Sequence, residues 1–133
     1  MARGECNCGA VAFEIEASLT DVYVCHCSIC RKFTGSNGIA VVVVPNSAFR
    51  WLRGEDKIAK WTKPGADWHA RFCSTCGSTL PVANDETRTA VPAGLIVEGG
   101  EHLKVAHHIW VGSIAVWDEI GDASKQHHEG YKP

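Results

Sequence analysis

The sequence predicts a mainly β, single-domain protein. Three observations carry that prediction: short apolar segments alternate at the period of a strand, turn residues recur between them, and no long segment shows the 3.6-residue period of a helix. Val11, Phe13 and Ile15 alternate with Ala12, Glu14 and Glu16, the pattern of a half-buried strand. Gly38 to Pro45 encloses the run Ile39-Ala40-Val41-Val42-Val43-Val44, which suits a strand covered on both faces. Phe49 and Trp51 alternate with Arg50 and Leu52 before a turn at Gly54-Glu55-Asp56. Trp68, Ala70 and Phe72 alternate with His69 and Arg71 and lead into Cys73, and Leu95 to Val97 and Ile109 to Val111 read as further short strands. Single helical turns are expected at Ser28 to Phe33 and at Pro45 to Ala48, with surface loops at Pro64-Gly65 and Gly99-Gly100.

The 133 residues suit one domain, residues 1–133, and a hydrophobic content of 45% is enough for an ordinary core. A formal charge of −2 argues against a non-specific binder of nucleic acid or of a membrane surface. The longest apolar run is too short to span a bilayer, and Met1-Ala2-Arg3-Gly4-Glu5-Cys6 has no apolar signal core, so a cytoplasmic location is expected. Seven cysteines in such a setting point to metal rather than disulfides, because the cytosol keeps thiols reduced and an odd number cannot pair completely within one chain.

The spacing divides those cysteines into two groups. Cys73-Ser74-Thr75-Cys76-Gly77 is a zinc-knuckle half-site, whose glycine permits the positive φ of a tight turn. A structural zinc takes four ligands, so a second pair is required. Cys6 and Cys8 supply it, because residues i and i+2 of an extended segment share a face. Cys25-His26-Cys27-Ser28-Ile29-Cys30 places three thiols within six residues, fills three corners of a tetrahedron and leaves the fourth open, as catalytic zinc sites do. His26 faces away from Cys25 and Cys27 in that geometry, which suits a supporting role better than ligation. A fourth ligand from His69, His107 or His108 would instead make the second group another closed site. Iron–sulfur binding is disfavoured, since the spacing matches neither common ferredoxin pattern.

Three motifs in order, Gly4-Glu5-Cys6-Asn7-Cys8-Gly9-Ala10-Val11, Cys25-His26-Cys27-Ser28-Ile29-Cys30-Arg31-Lys32 and Phe72-Cys73-Ser74-Thr75-Cys76-Gly77, resemble the glutathione-dependent formaldehyde-activating family, whose domain is shared with centromere protein V. Thr34-Gly35-Ser36, Val44-Pro45, Phe49-Arg50-Trp51 and His108-Ile109-Trp110-Val111 extend the likeness over nearly the whole chain. The resemblance implies a zinc-containing β-tent of small antiparallel sheets. It implies a structural zinc on Cys6, Cys8, Cys73 and Cys76 and a catalytic zinc on Cys25, Cys27 and Cys30, two ions per chain. The implied activity is that of an S-(hydroxymethyl)glutathione synthase, a carbon–sulfur lyase run in reverse, which condenses glutathione or a related thiol with formaldehyde or another small aldehyde.

A zinc of this kind can hold the thiol as thiolate or polarise the carbonyl, and both routes stay open. Arg31, with a guanidinium fork matched to a carboxylate, Lys32 and Ser36 are the expected substrate contacts. Neither nucleic acid nor membrane is an expected partner, and the oligomeric state is open. The alternative class is a zinc-scaffolded binding module without chemistry. The resemblance weakens at Ile114-Ala115-Val116-Trp117 and Asp122-Ala123-Ser124-Lys125-Gln126, which bears on the substrate rather than on the zinc ligands.

Overall fold

The alternating segment around Phe13 becomes β2 (Ala12–Ile15), an inner strand of a four-stranded sheet in the computed structural model, which describes residues 1–133. β1 (Ala2–Glu5) pairs antiparallel with β2 on one side and with β10 (Ile96–Glu98) on the other, and β5 (Phe49–Arg53) closes the far edge against β2. A second sheet of six strands runs in the order β12 (Lys125–Gln126), β11 (Lys104–Ile109), β3 (Asp21–Cys25), β4 (Ile39–Pro45), β9 (Arg88–Pro92) and β8 (Val82–Ala83). Its β3–β4–β9–β8 part is antiparallel, whereas β11 lies parallel to both β3 and β12. β6 (Ile58–Thr62) and β7 (His69–Cys73) form a hairpin in neither sheet. The helix α1 (Ser28–Thr34) links β3 to β4. This is the mainly β, small-sheet tent expected from the sequence, and no helix is long and apolar enough to cross a membrane.

The two sheets meet over one apolar core. Ala2, Phe13 and Ile15 come from the first sheet and Val22, Val42, Val44 and Val91 from the second. Phe13 stacks on Phe49 at 5.4 Å, and Trp51 meets both rings edge-on. Such pairs add about 0.5–1.5 kcal/mol each to the roughly 1.5–3 kcal/mol gained by burying each large side chain. A smaller cluster of Cys6, Val11, Cys73 and Leu80 sits beside this core.

Most predicted segments hold, with three differences. In β4 only Val42 and Val44 are fully buried; Val41 and Val43 are half-covered, because their face borders open cavities. Residues 93–95 form a 3-10 turn, so the strand expected at Leu95 begins at Ile96. The strand expected through Val111 stops at Ile109, where Trp110 adopts a left-handed backbone (φ 57°). That conformation is uncommon for a bulky residue, and here it turns the chain onto its own C-terminal segment. The amides of Trp110, Val111 and Gly112 donate to the carbonyls of Glu129, His127 and His128.

Candidate metal centres and the adjoining cavity

Cys6 and Cys8 follow β1, Cys73 ends β7, and Cys76 completes the knuckle. Both turns close in the same way: the Gly9 amide donates to the Cys6 carbonyl and the Gly77 amide to the Cys73 carbonyl. Both glycines take a positive φ (79° and 78°) that a side chain would strain. The four sulfurs lie within 4.8 Å of one another, with Cys6 to Cys8 at 3.6 Å and Cys8 to Cys73 at 3.8 Å. Four thiolates at about 2.3 Å from one tetrahedral ion stand roughly 3.8 Å apart, so these residues fit zinc as they stand. The Val11 amide donates to Cys6 Sγ (3.3 Å). Hydrogen bonds from Ser78 lower the Cys76 thiol to about 5, so that ligand is ready to bind as a thiolate.

The second group gathers at one end of the helix. Cys25 closes β3, Cys27 caps α1 and Cys30 lies in its first turn, with the three sulfurs within 4.8 Å of one another. The Cys30 amide donates to Cys27 Sγ at 3.3 Å. Contacts from Cys25 and Cys30 pull the Cys27 thiol down to about 2, while contact with Cys27 pushes Cys25 up to about 11 and contacts with Cys25 and Cys27 raise Cys30. Three touching sulfurs thus share their protons unequally, one as thiolate and two as donors, which is the set a soft divalent cation displaces. No fourth His, Cys, Asp or Glu joins them. His69 bonds Thr62 (3.1 Å), His107 bonds His127 (3.0 Å), and His108 is engaged elsewhere.

The parallel pairing of β11 with β3 sets Ile109 beside Cys25 and brings His108 to His26. His26 is buried, as its direction away from the thiols predicts. Its Nδ1 faces the Asn37 carbonyl at 3.2 Å and its Nε2 faces His108 Nδ1 at 2.8 Å, while His108 Nε2 faces the Asp122 carboxylate at 2.9 Å. Acceptors stand at both ends, so three hydrogens must be shared over two rings, one more than two neutral imidazoles carry. Burial and the neighbouring His108 lower the His26 ring below its ordinary pKa. Ser124 and His108 together hold the Asp122 carboxyl at about 2. The chain fixes the peptide between Cys25 and Cys27 from behind. Asp122 and Asp118, 3.7 Å from His26, come from the region where the motif likeness fails and were not legible as site residues.

The sequence profile of the glutathione-dependent formaldehyde-activating enzyme family matches residues 1–113, which include all seven cysteines. The chain belongs to this family. A curated protein of Halomonas elongata with the provisional name glutathione-dependent formaldehyde-activating enzyme is 33% identical over 86 residues. That match spans 59% of this chain and 53% of the relative, about half of its length. A Rhodobacter sphaeroides protein of known crystal structure shares the fold, with a TM-score of 0.60 and 24% identity over 72% of this chain and 88% of its own.

In this family member a cavity of about 260 Å³ opens beside Cys25 and Cys30. Phe33 of α1 and Trp68 of the hairpin, 5.0 Å apart edge to face, stand between it and an outer groove lined by Lys32, Lys63 and Trp61. Lys32 therefore lies next to the predicted site. Arg31 and Ser36 line neither space: Arg31 Nε is buried without a hydrogen-bond partner, and the Ser36 hydroxyl donates to Asn37. His69 stands in the cavity lining, half exposed, next to Trp68. Phe33, Leu80 and Val82 carried no sequence signal beyond apolarity.

Proposed function

We propose that the protein is a two-zinc enzyme of the carbon–sulfur lyase class, resembling S-(hydroxymethyl)glutathione synthase, that condenses glutathione or a related thiol with formaldehyde or another small aldehyde. One observation carries the reading: three converging thiols without a fourth protein donor adjoin a cavity that two of their residues, Cys25 and Cys30, line. Cys6, Cys8, Cys73 and Cys76 would hold the structural ion, and Cys25, Cys27 and Cys30 the catalytic one. A zinc held by these three thiolates would leave room for an exogenous ligand and would favour that ligand's deprotonated form at neutral pH.

The protein's own groups do the rest. The Cys30 amide fixes the direction of the Cys27 sulfur, and the His26–His108–Asp122 chain fixes the backbone between Cys25 and Cys27. Apolar side chains keep bulk water from the aldehyde, whose hydrate would not react. The groove beside Phe33 and Trp68 supports Lys32 as a partner for a thiol carboxylate. Arg31 remains a proposed contact through its place beside Cys30 in the chain, and Ser36 through its place in the turn that follows α1. The condensation breaks the S–H bond, forms a C–S bond and converts the carbonyl to a hydroxyl.

Cobalt in place of zinc tests this reading directly. Glutathione should strengthen the sulfur-to-cobalt charge-transfer band and release about one proton per chain at neutral pH, and NMR should show hemithioacetal forming faster than in buffer. An unchanged spectrum at millimolar glutathione, with no acceleration, would leave a metal-scaffolded binding module instead.

A further inference from the structure

The space beside Cys25 and Cys30 is far larger and more apolar than formaldehyde requires. A one-carbon aldehyde is not much larger than water, whose share of liquid volume is about 30 Å³, and the cavity holds about 260 Å³. Phe33, Ile39, Val41, Leu80, Val82 and Ile109 wall it. Its charged lining is Arg71 of β7 together with Asp67 and His69, and Asp67 is fully exposed at the hairpin tip. Glutathione carries two carboxylates and an ammonium, while the basic side chains of this lining are Arg71 and His69 alone, so burying the whole charged tripeptide against these largely apolar walls is costly. The polar body of the thiol therefore belongs outside, toward the groove of Lys32 and Lys63. That leaves an apolar chamber facing the reacting atoms with nothing from the thiol to fill it.

We propose that this site accepts aldehydes bearing an apolar chain of several carbons, with the chain in the chamber walled by Phe33, Ile39, Val41, Leu80, Val82 and Ile109. The inference rests on the thiol–aldehyde reading above and names the aldehyde class. The reaction balances as before. The thiol sulfur bonds to the carbonyl carbon, the carbonyl π pair moves onto oxygen, and the proton leaving sulfur ends on that oxygen. No oxidant or reductant enters.

The intrinsic electrophilicity of straight-chain aldehydes is nearly constant from propanal upward, so a rate trend along that series reports binding of the chain. Each added methylene should raise kcat/KM with glutathione by about fourfold, until the chamber fills near six carbons, roughly what its volume holds beside the reacting atoms. The zinc-loaded protein is assayed with propanal, butanal, pentanal and hexanal, with formaldehyde as reference. Val82 lies on a two-residue strand at the sheet edge and is half exposed, so Val82→Trp fills the chamber without cutting the core. It should reduce the hexanal-to-propanal ratio at least tenfold. Hexanamide, an unreactive probe of similar length, should change the tryptophan fluorescence saturably, and Trp68→Phe should diminish that change. Turnover of formaldehyde with a flat series and no response to hexanamide would overturn the chamber assignment and leave the thiol–aldehyde activity standing. Saturable hexanamide binding without condensation of any aldehyde would overturn the activity, and with it this substrate class.

Discussion

Replacing Cys76 by serine separates the two cysteine groups by their structural roles. Cys76 is half exposed and belongs to no strand, so the change removes a thiolate and little packing. The ion proposed there would join Cys8 to Cys73 across a separation of 65 residues. Treated as a cross-link on the unfolded chain, a closure of that length is worth about 4 kcal/mol, against about 2 kcal/mol for the short Cys25–Cys30 segment. Unfolding entropy scales with length, so about 4 kcal/mol in a chain of this size corresponds to a loss of roughly 15 °C in Tm. The direct loss of zinc affinity adds to that, and domain stabilities are only about 5–15 kcal/mol. Thermal unfolding followed by circular dichroism, with metal content measured on the same samples, reads both quantities. Cys76→Ser should melt at least about 15 °C lower, or fail to fold, while Cys30→Ser should stay folded with one zinc fewer and a drop about half as large. A Cys76→Ser protein within a few degrees of wild type, beside a collapsed Cys30→Ser protein, would reverse the assignment of the two sites.

Elemental analysis of protein purified without chelator should give close to two zinc ions per chain; a reproducible value of one, with Cys25, Cys27 and Cys30 open to thiol reagents, would remove the second site. Lys32→Ala should weaken glutathione binding by about 1.5–3 kcal/mol, the range for a charge-assisted hydrogen bond. It should leave a small uncharged thiol unaffected in the same cobalt titration, and equal losses for both would count against a carboxylate contact. Burial, His107 and Lys125 hold the His127 ring below its ordinary pKa. The detached tail then binds protons more readily than the docked one, so docking is strongest above about pH 6.5 and weakens as pH falls through that value. The protection of the Val111 and Gly112 amides, which donate to the tail carbonyls, taken as exchange relative to the intrinsic rate at each pH, should fall between pH 7.5 and 5.5, and unaltered protection would refute the linkage.

The two cysteine groups were legible because they are local: a CxC, a CxxC turn and a CxCxxC running into a helix each fix sulfur geometry within a few residues, although the CxC sits in a turn closed by Gly9 and not on the extended segment expected. Strands with period-2 alternation, such as β2 and β5, were legible for the same reason. The parallel pairing of β11 with β3 was not, because nothing in either segment specifies a partner about eighty residues away, and that pairing is what joins His26 to His108. The part of the C-terminal segment was hidden too, since only its divergence from the family motifs showed in the sequence. That segment supplies Asp122 to the histidine chain and His127 to His107, contacts set by how the chain turns at Trp110. The cavity was invisible in the sequence, since half-buried valines on β4 look the same whether their outer face meets a neighbour or open space.

The β6–β7 hairpin has a consequence for how members of such a family diverge. Its base is pinned at Cys73, its strands pair with each other and, at Phe72, with Thr79, and its outer end contributes Trp68 and His69 to the cavity lining. Changes in the length or composition of residues 63–68 reshape the chamber while touching neither cysteine group, and they leave the hydrogen bonding of both large sheets intact. Reactivity and substrate choice are therefore written in separable parts of the chain. Under the proposed function, a library confined to the tip would sample new acceptor aldehydes while leaving both cysteine groups unaltered.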